Sequence, residues 1–281
     1  MADTQPPIWC IMPIAGAESY TDAAILDLLA QSVPTRILLI NQGIETPFRE
    51  HLEQICEQND NRVFLWNHDP CLPSLSMSWN LGLRFAWNCG GTEALVVNND
   101  VRLHQKTVDY LHGMLGHVDS FFISAVGVTE EQFEAYDGAE PLLTPPDAEG
   151  WGHPVHKGGP DFSCFLLSKA GHEKYPFDEN FVPAYCEDLD MHRRYMLGGD
   201  GDKIFSINLP YLHFASGTLK SFSDEQRAHW QSKIGQSRAY YEKKWGGPVN
   251  GERYTIPFEP KSAQDGVTTP DLQRACQGEK I

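Results

Sequence analysis

The first candidate for cation binding is the triplet Asn98-Asn99-Asp100, which directly follows the apolar residues 94–97. A carboxylate at the end of a strand, with an amide two residues earlier, can bind a hard cation through oxygen ligands. Asn and Asp also favour turns, because their side chains form local hydrogen bonds. The triplet alone therefore fits either a cation site or a plain turn.

A second candidate is a group of three acids, Glu187, Asp188 and Asp190, just before an expected helix. Acids at this position stabilise a helix through its dipole. One of them could instead serve as a general base, which must be ionised and within hydrogen-bond reach of the proton that it removes. The residues themselves leave both interpretations open.

Two further features lie beside expected strands. His213 follows a strand and precedes residues 215–218, and an isolated His is more often structural than a ligand. Residues 158–161 read Gly-Gly-Pro-Asp. Glycines there could let a substrate approach the backbone closely, or they could form a plain turn.

The elements that must position these residues alternate between strand and helix in the first hundred residues. We predict strands over 8–15, 36–41, 62–67 and 94–98, and helices over 22–31, 47–58 and 75–87. This alternation predicts an α/β fold with a mainly parallel, Rossmann-like mixed sheet flanked by helices. Continuous rather than alternating apolar strands fit a sheet that is covered on both faces. Ligands bind at the carboxyl ends of strands in such sheets, where the candidates fall.

The second half is less regular. We predict strands over 121–128, 161–168 and 203–209, a helix over 189–197, and a C-terminal helix that ends at residues 246–248. Residues 129–157 are rich in Pro, Gly and acids, which favours a functional loop or an insertion. We expect one domain over 1–247 and a polar tail over 248–281.

Composition excludes several classes of protein. The chain has 281 residues, of which 41% are hydrophobic and 21% charged, so it can bury a full core. Its net charge of −16 argues against a passive duplex-binding protein. The basic pairs Arg193-Arg194 and Lys243-Lys244 could still contact phosphates. The sequence contains no P-loop, no G-x-G-x-x-G after the first strand, no G-x-S-x-G elbow and no H-E-x-x-H motif.

The sequence also suggests a location. No apolar run approaches the roughly 20 residues of a membrane helix, and no basic residues precede the first apolar stretch. The seven cysteines form no C-x-x-C pair. We therefore expect a cytoplasmic protein with reduced thiols and without stable membrane insertion.

Taken in order, the motifs between residues 8 and 247 resemble those of family 2 glycosyltransferases with the GT-A fold. The stretch ALVVNNDV resembles the metal motif of that family, and EDLD within FDENFVPAYCEDLDMHRRYMLGG resembles its acceptor-side signature. His213 falls where the family often supplies a metal ligand. The other stretches that carry the resemblance are IMPIAG, LLINQG, SWNLGLRFAW with the preceding Asn67, YLHFASGT and YYEKKWGG.

The resemblance implies a role for each candidate residue. It divides the domain into a nucleotide-sugar-binding half (8–115), an acceptor half (116–220) and a C-terminal helix (221–247). The implied base is Asp188, with Glu187 orienting the acceptor or positioning Asp188, and the implied metal ligands are Asp100 and His213. The implied donor-binding residues are Pro13, Ala15, Asn41, Asn67, Asn80, Asn98 and Asn99. The implied acceptor-binding residues are Trp151, Gly159 and Asp161, although Trp151 could equally be a packing anchor.

The implied reaction is an inverting, metal-dependent transfer from a UDP-, GDP- or dTDP-linked sugar to an acceptor hydroxyl. The cofactor is Mn²⁺ or Mg²⁺, and an imidazole ligand favours Mn²⁺. Two residues depart from the family pattern, because Asn98 and Asn41 stand where relatives often carry Asp. These changes leave the donor nucleotide open.

The acceptor and two other functions stay open. The acceptor could be a glycan, such as a surface polysaccharide or a lipid-linked intermediate, or a hydroxylated nucleobase in phage DNA. The main alternative is a catalytically inactive GT-A-like module that binds a nucleotide or glycan, which Asn98 favours. A nucleotidyltransferase would need a basic, Gly-rich first loop, whereas residues 15–18 here read Ala-Gly-Ala-Glu.

Overall fold

The computed structural model describes residues 6–68, 70–117, 119–138, 160–214 and 223–258. The strands are β1 (Ile8–Ile14), β2 (Thr35–Asn41), β3 (Val63–Trp66), β4 (Glu93–Val97), β5 (Val101–Arg102), β6 (Phe122–Val128), β7 (Cys164–Ser168) and β8 (Ile204–His213). The helices are α1 (Glu18–Leu29), α2 (Thr46–Gln58), α3 (Leu75–Asn88), α4 (Thr107–His117), α5 (Glu130–Glu134), α6 (Lys169–Lys174), α7 (Glu187–Leu197) and α8 (Asp224–Trp245). A short 3-10 helix covers Gly201–Lys203.

All eight strands form one mixed sheet, in the order β3-β2-β1-β4-β7-β6-β8-β5. Strands β3, β2, β1 and β4 are parallel, as are β6 and β8. Strand β7 is antiparallel to both of its neighbours, and β5 is antiparallel to β8. The predicted fold class, an α/β protein with a mixed sheet, is confirmed.

The sheet is covered on both faces, as its continuous apolar strands predict. All seven residues of β1 are buried. Met12 belongs to the core on one face of the sheet, together with Ile25 and Leu52. Its neighbour Ile11 belongs to the core on the other face, together with Leu83. Alternate residues of one strand therefore anchor helices on opposite sides.

The second half contains elements that the sequence did not predict. Strand β5 has only two residues, which is too few for a hydrophobic period to show. Helices α4, α5 and α6 were also missed. Helix α7 begins at Glu187, two residues before its predicted start, so the first two acids belong to its first turn.

Part of the segment assigned to the polar tail packs back onto α8. The backbone amides of Arg253 and Tyr254 both donate to the carbonyl of Trp245, at 3.0 and 2.9 Å. Glu252 is buried and accepts a 2.6 Å hydrogen bond from the hydroxyl of Tyr241. Residues 248–258 thus cover the end of α8, while 259–281 lie outside the described residues.

None of the helices in the described ranges is long and apolar enough to cross a membrane.

Candidate functional site

A cleft of about 410 Å³ lies at the carboxyl ends of the parallel strands. Residues at or just after the ends of β1, β2 and β4 line one part of it, among them Ala15, Gln42 and Asn98. The start of α7 and the end of β8 complete the cleft. The cleft therefore forms where ligands bind in open α/β sheets.

The cleft brings together most of the residues selected from the sequence. Its lining includes Pro13, Ala15, Asn98, Asn99, Asp100, Asp161, Glu187, Asp188 and His213. Asn41, Asn67 and Asn80 are not among the described residues that line it. Trp151 and Gly159 lie outside the described residues.

Asp100 and His213 are held side by side by strand pairing. Val101 of β5 is the antiparallel partner of His213 in β8, so the preceding Asp100 lies next to the imidazole. Atom Nε2 of His213 is 3.3 Å from Oδ1 of Asp100. Asp100 is buried, and its carbonyl accepts a 2.9 Å hydrogen bond from the amide of Phe214. Two elements far apart in sequence therefore fix this pair.

The pair fits two adjacent ligands of one divalent cation. Ligand bonds of about 2.1 Å place neighbouring donors of an octahedral ion about 3 Å apart, close to the separation found here. A carboxylate with an imidazole suits Mn²⁺. Within the described ranges no group of three His, Cys, Asp or Glu residues could hold a metal ion. In the described part of the chain, His, Cys, Asp and Glu side chains thus supply at most two ligands here, which leaves positions for substrate oxygens or water.

The middle residue of the triplet has a structural task. The amide nitrogen of Asn99 donates to the carbonyl of Gly16 at 2.7 Å and to the hydroxyl of Thr21 at 2.8 Å. These bonds tie the end of β4 to the first turn of α1. The backbone N–H of Asn98 donates to the carbonyl of Ser163 at 2.9 Å. The triplet is thus a fixed turn and also part of the cleft lining.

The acid pair stands on an unusual turn. Tyr185 and Cys186, directly before α7, both have positive φ angles, of 76° and 70°. Non-glycine residues seldom adopt this conformation, and such residues cluster at functional sites. Glu187 is buried, and its Oε2 atom has no hydrogen-bond partner in the described part of the chain. Asp188 is half-buried, and its Oδ1 accepts from the amide of Leu189 at 2.8 Å.

Burial gives the two carboxyls different acidities. Burial, followed by repulsion from Asp188, raises the pKa of Glu187 well above its usual value. Burial also raises the pKa of Asp188, but the amide of Leu189 stabilises its ionised form. Because Glu187 is the more buried carboxyl, it holds a proton more readily. Asp188 is therefore the member of the pair that ionises first and can accept a proton.

Asp161 lies close enough to influence this pair. Its Oδ1 accepts a 2.9 Å hydrogen bond from the amide of Ser163, which fixes the side chain at the entry to β7. The charge of Asp161 contributes to the raised pKa of Asp188. An acid assigned to acceptor binding from the sequence thus shares the cleft with the candidate base.

Asn80 has its amide fully engaged in the fold. Its nitrogen donates to the carbonyl of Phe177 at 2.8 Å and to Oε1 of Glu179 at 2.9 Å. Its oxygen accepts from the amide of Phe177 and from Nε2 of His172, each at 3.0 Å. The side chain therefore joins α3 to the segment before α7.

Asn41 and Asn67 are bonded to each other. The Nδ2 atom of Asn41 donates to Oδ1 of Asn67 at 2.8 Å. The Oδ1 atom of Asn41 accepts from the amides of Gly43 and Ile44, at 2.8 and 2.9 Å. Asn41 thus shapes the turn after β2, whose next residue, Gln42, lines the cleft.

Four aromatic residues line the cleft without having been selected from the sequence: Trp79, Phe162, Tyr185 and Trp230. Trp79 is buried, and its indole nitrogen has no partner among the described residues. Trp79 and Trp230 lie on apolar helix positions, which look like ordinary core positions in the sequence. Tyr185 stands beside the acids, and that position was the only available signal.

No protein-family model matches the chain, and no curated protein matches it in sequence. Solved structures do resemble it. Residues 1–349 of S. aureus TarS in complex with UDP-GlcNAc superpose with a TM-score of 0.54 at 13% identity, over 88% of this chain and 75% of that one. The mannosyltransferase PcManGT from Pyrobaculum calidifontis, in complex with GDP-Man and Mn²⁺, gives a TM-score of 0.56 at 11% identity. That match covers 84% of this chain and 64% of the other.

At these identities the likeness concerns the fold. The chain has the mixed, largely parallel α/β architecture of these proteins, with helices on both faces of the sheet. The sequence and the comparisons thus agree on a GT-A-type fold.

Proposed function

We propose that the chain is an inverting, metal-dependent glycosyltransferase, a member of family 2, that uses a nucleotide-diphosphate sugar. The observation that carries the proposal is one cleft that holds the Asp100–His213 pair together with the Glu187–Asp188 pair. Similar folds in complex with UDP, UDP-GlcNAc and GDP-Man support a nucleotide-sugar donor. A cytoplasmic location is part of the proposal, because the cysteine spacing contains no disulfide framework.

The donor binds at the ends of β1 and β4. Pro13 and Ala15 at the end of β1 form one wall of the cleft, and Asn98 and Asn99 form the adjoining one. Asp100 and His213 would hold Mn²⁺ or Mg²⁺ beside the donor. The cation, when bound, neutralises charge that develops on the diphosphate leaving group.

The acceptor lies on the α7 side of the cleft. Asp188 takes the proton of an acceptor hydroxyl while the oxygen attacks the anomeric carbon from the face opposite the diphosphate. The new carbon–oxygen bond forms as the carbon–diphosphate bond breaks, so one displacement inverts the configuration. Glu187, whose pKa is raised by burial, orients the acceptor through a hydrogen bond, and Asp161 contributes a second polar contact.

The acceptor is a glycan or a hydroxylated nucleobase. The basic pairs that could have supported a nucleic acid do not form exposed patches. Arg193 is buried and pairs with Glu252. Lys244 is also buried, and it pairs with Asp178 and Asp190. This observation favours a glycan acceptor over DNA.

A nucleotide-binding module without turnover is the second candidate. Two observations favour it. The triplet has Asn98 where an acid would strengthen a metal site, and in the described ranges the candidate metal site at the cleft has two ligands of the His, Cys, Asp or Glu type rather than three. Such a module would bind a nucleotide sugar and leave it intact.

A donor screen separates the two. The protein is incubated with UDP-, GDP- and dTDP-linked sugars and Mn²⁺, and release of the nucleoside diphosphate is measured. The proposal expects cleavage of at least one donor, slow with water and faster with an acceptor. If a donor binds but is not cleaved, whether or not candidate glycans are present, the result would favour the nucleotide-binding module without turnover.

A further inference from the structure

A group of buried and half-buried side chains around the end of α8 lies outside the cleft and has no part in the proposed reaction. We call Asp178, Asp190, Tyr240, Lys244 and Trp245 the α8 cluster. Lys244 stands at its centre and is only 5% exposed. A buried ammonium is retained only where it is well paired, because desolvation of the charge is costly.

Lys244 is paired on two sides. Its Nζ atom lies 2.6 Å from Oδ2 of Asp178 and 2.6 Å from Oδ1 of Asp190. The ammonium also faces the rings of Phe181 and Trp245, at 5.6 and 5.5 Å from their centroids. One side chain of α8 therefore connects a residue nine positions before Glu187 with a residue inside the first turn of α7.

Other members of the cluster reinforce each end of this connection. The Tyr240 hydroxyl donates to Oδ2 of Asp178 at 2.9 Å. The Trp245 indole donates to Oδ1 of Asp190, also at 2.9 Å. Burial opposes ionisation of Asp178, yet hydrogen bonds from Lys244 and Asn180 lower its pKa to about 2. The carboxylate of Asp178 is thus held as a fixed anion.

The segment between the two anchors is the turn that carries the candidate base. Tyr185 and Cys186 adopt the left-handed conformation, which is strained for a non-glycine residue and persists only where the surroundings impose it. The Ser237 hydroxyl of α8 also bonds the carbonyl of Val182 at 3.0 Å. Helix α8 therefore contacts the segment before the turn and the helix after it.

We propose that Lys244 is a positioning residue, which holds the 185–186 turn and so aims Asp188 into the cleft. This inference rests on the proposed function for its kinetic part and on the geometry alone for its structural part. Without the ammonium, the two ends of the turn lose their common partner. The strained turn then relaxes, and Asp188 leaves the position from which it can reach an acceptor hydroxyl.

The test uses Lys244→Met with Lys243→Met as the matched control, since Lys243 is the exposed neighbour on the same helix. Hydrogen exchange of peptides that span residues 182–191 is measured first. We expect exchange at least tenfold faster in K244M and unchanged in K243M. In transfer assays K244M should lower kcat at least tenfold, while the donor Kd stays within twofold of the wild-type value.

A general loss of stability would act differently, because it would weaken donor binding and speed exchange across the sheet as well. K244M that keeps both wild-type exchange at residues 182–191 and wild-type kcat would overturn the proposal. So would faster exchange that spreads equally to β1 and β4.

Tyr240→Phe is the milder variant, and it decides the question if K244M does not fold. It removes only the hydroxyl that donates to Asp178, and it should speed exchange at residues 182–191 and lower kcat about threefold. If K244M does not fold, unchanged exchange at residues 182–191 in Y240F refutes the positioning role. If the wild-type protein transfers no sugar, the proposed function fails, and the exchange measurement still decides whether Lys244 holds the turn.

Discussion

His213 Nε2 lies 3.3 Å from Asp100 Oδ1, across the pairing of a ten-residue strand with a two-residue one. The register of β5 and β8 places the backbones of the two residues side by side, so regular strand pairing supports this contact. A carboxylate and an imidazole at this distance can share one cation at the mouth of the cleft. The same strand pairing thus fixes the candidate metal pair at the edge of the sheet.

The first prediction is that Asp100→Ala weakens metal-dependent nucleotide binding. Removal of the carboxylate leaves His213 as the remaining ligand of the pair, so a cation would be held too weakly to support nucleotide binding. Calorimetric titration with UDP and GDP should show affinity that rises with Mn²⁺ in the wild type and does not rise in D100A. EDTA should abolish turnover in the wild type.

Asp60→Asn, which alters an exposed carboxylate, should keep the full Mn²⁺ effect. A Mn²⁺ effect of normal size in D100A would show that the triplet is only a turn.

The second prediction distinguishes the two acids. Asp188→Asn removes the base while it nearly keeps the shape of the side chain, so kcat should fall about 10²–10⁴-fold with little change in donor affinity. Glu187→Gln alters the contact that orients the acceptor and leaves the base Asp188 in place, so it should raise the acceptor KM more than it lowers kcat. Steady-state kinetics with a saturating donor measure both effects. The opposite pattern would exchange the two roles.

The third prediction concerns pH. A general base works when it is deprotonated, and burial raises the pKa of Asp188, with a further contribution from the charge of Asp161. In the pH profile of kcat, the fall at low pH should therefore have its midpoint above the ordinary carboxyl pKa of about 4. Asp161→Asn removes one cause of the raised pKa, so it should move this midpoint to lower pH. A midpoint that does not move in D161N would contradict this assignment.

Much of the first half could be predicted from the sequence, because its strands are continuous apolar runs. Predicted and observed limits of β1 and β2 agree to within one residue. The metal and base candidates could also be selected, since polar residues directly after buried strands are conspicuous. Their convergence on one cleft follows from the common edge of the sheet.

The remaining features depend on contacts that are distant in sequence. The amide of Asn80 bonds Phe177 and Glu179, about a hundred positions away, and nothing in its own helix indicates this. Lys244 looks like an exposed base within YYEKKW, and only the tertiary structure shows that Asp178 and Asp190 bury it. A charged residue in a local sequence pattern does not reveal whether it has an ion-pair partner elsewhere in the chain.

The fourth prediction concerns stability and His172. Its Nδ1 accepts from the Trp87 indole at 2.9 Å and its Nε2 donates to Asn80, so the ring is neutral. Burial, followed by the charge of Arg84, lowers its pKa to about 4. The unfolded ring titrates near 6.5, so between these values the unfolded chain binds the proton and the folded protein does not. Stability due to His172 is therefore full above about pH 6.5 and is lost as pH falls towards 4.

Urea unfolding at pH 7 and pH 5 measures this effect. Between these pH values the free energy of unfolding should fall by about 2 kcal/mol more in the wild type than in His172→Gln, whose side chain at position 172 cannot titrate. In His68→Gln, which changes an exposed residue, the free energy of unfolding should fall by as much as in the wild type. Equal pH dependence in H172Q and the wild type would contradict the neutral buried ring.

The most direct test of the central claim is real-time proton NMR of a cleaved donor in the presence of Mn²⁺. With UDP-N-acetylglucosamine, whose sugar is α-linked, or with another α-linked donor that the screen selects, one spectrum series reports both bond cleavage and the configuration of the released sugar. We predict that the β anomer appears first, before mutarotation, and that D188N and D100A release it at least a hundredfold more slowly. Early release of the α anomer, or no cleavage of any donor by the wild-type protein, would contradict an inverting transfer in this cleft.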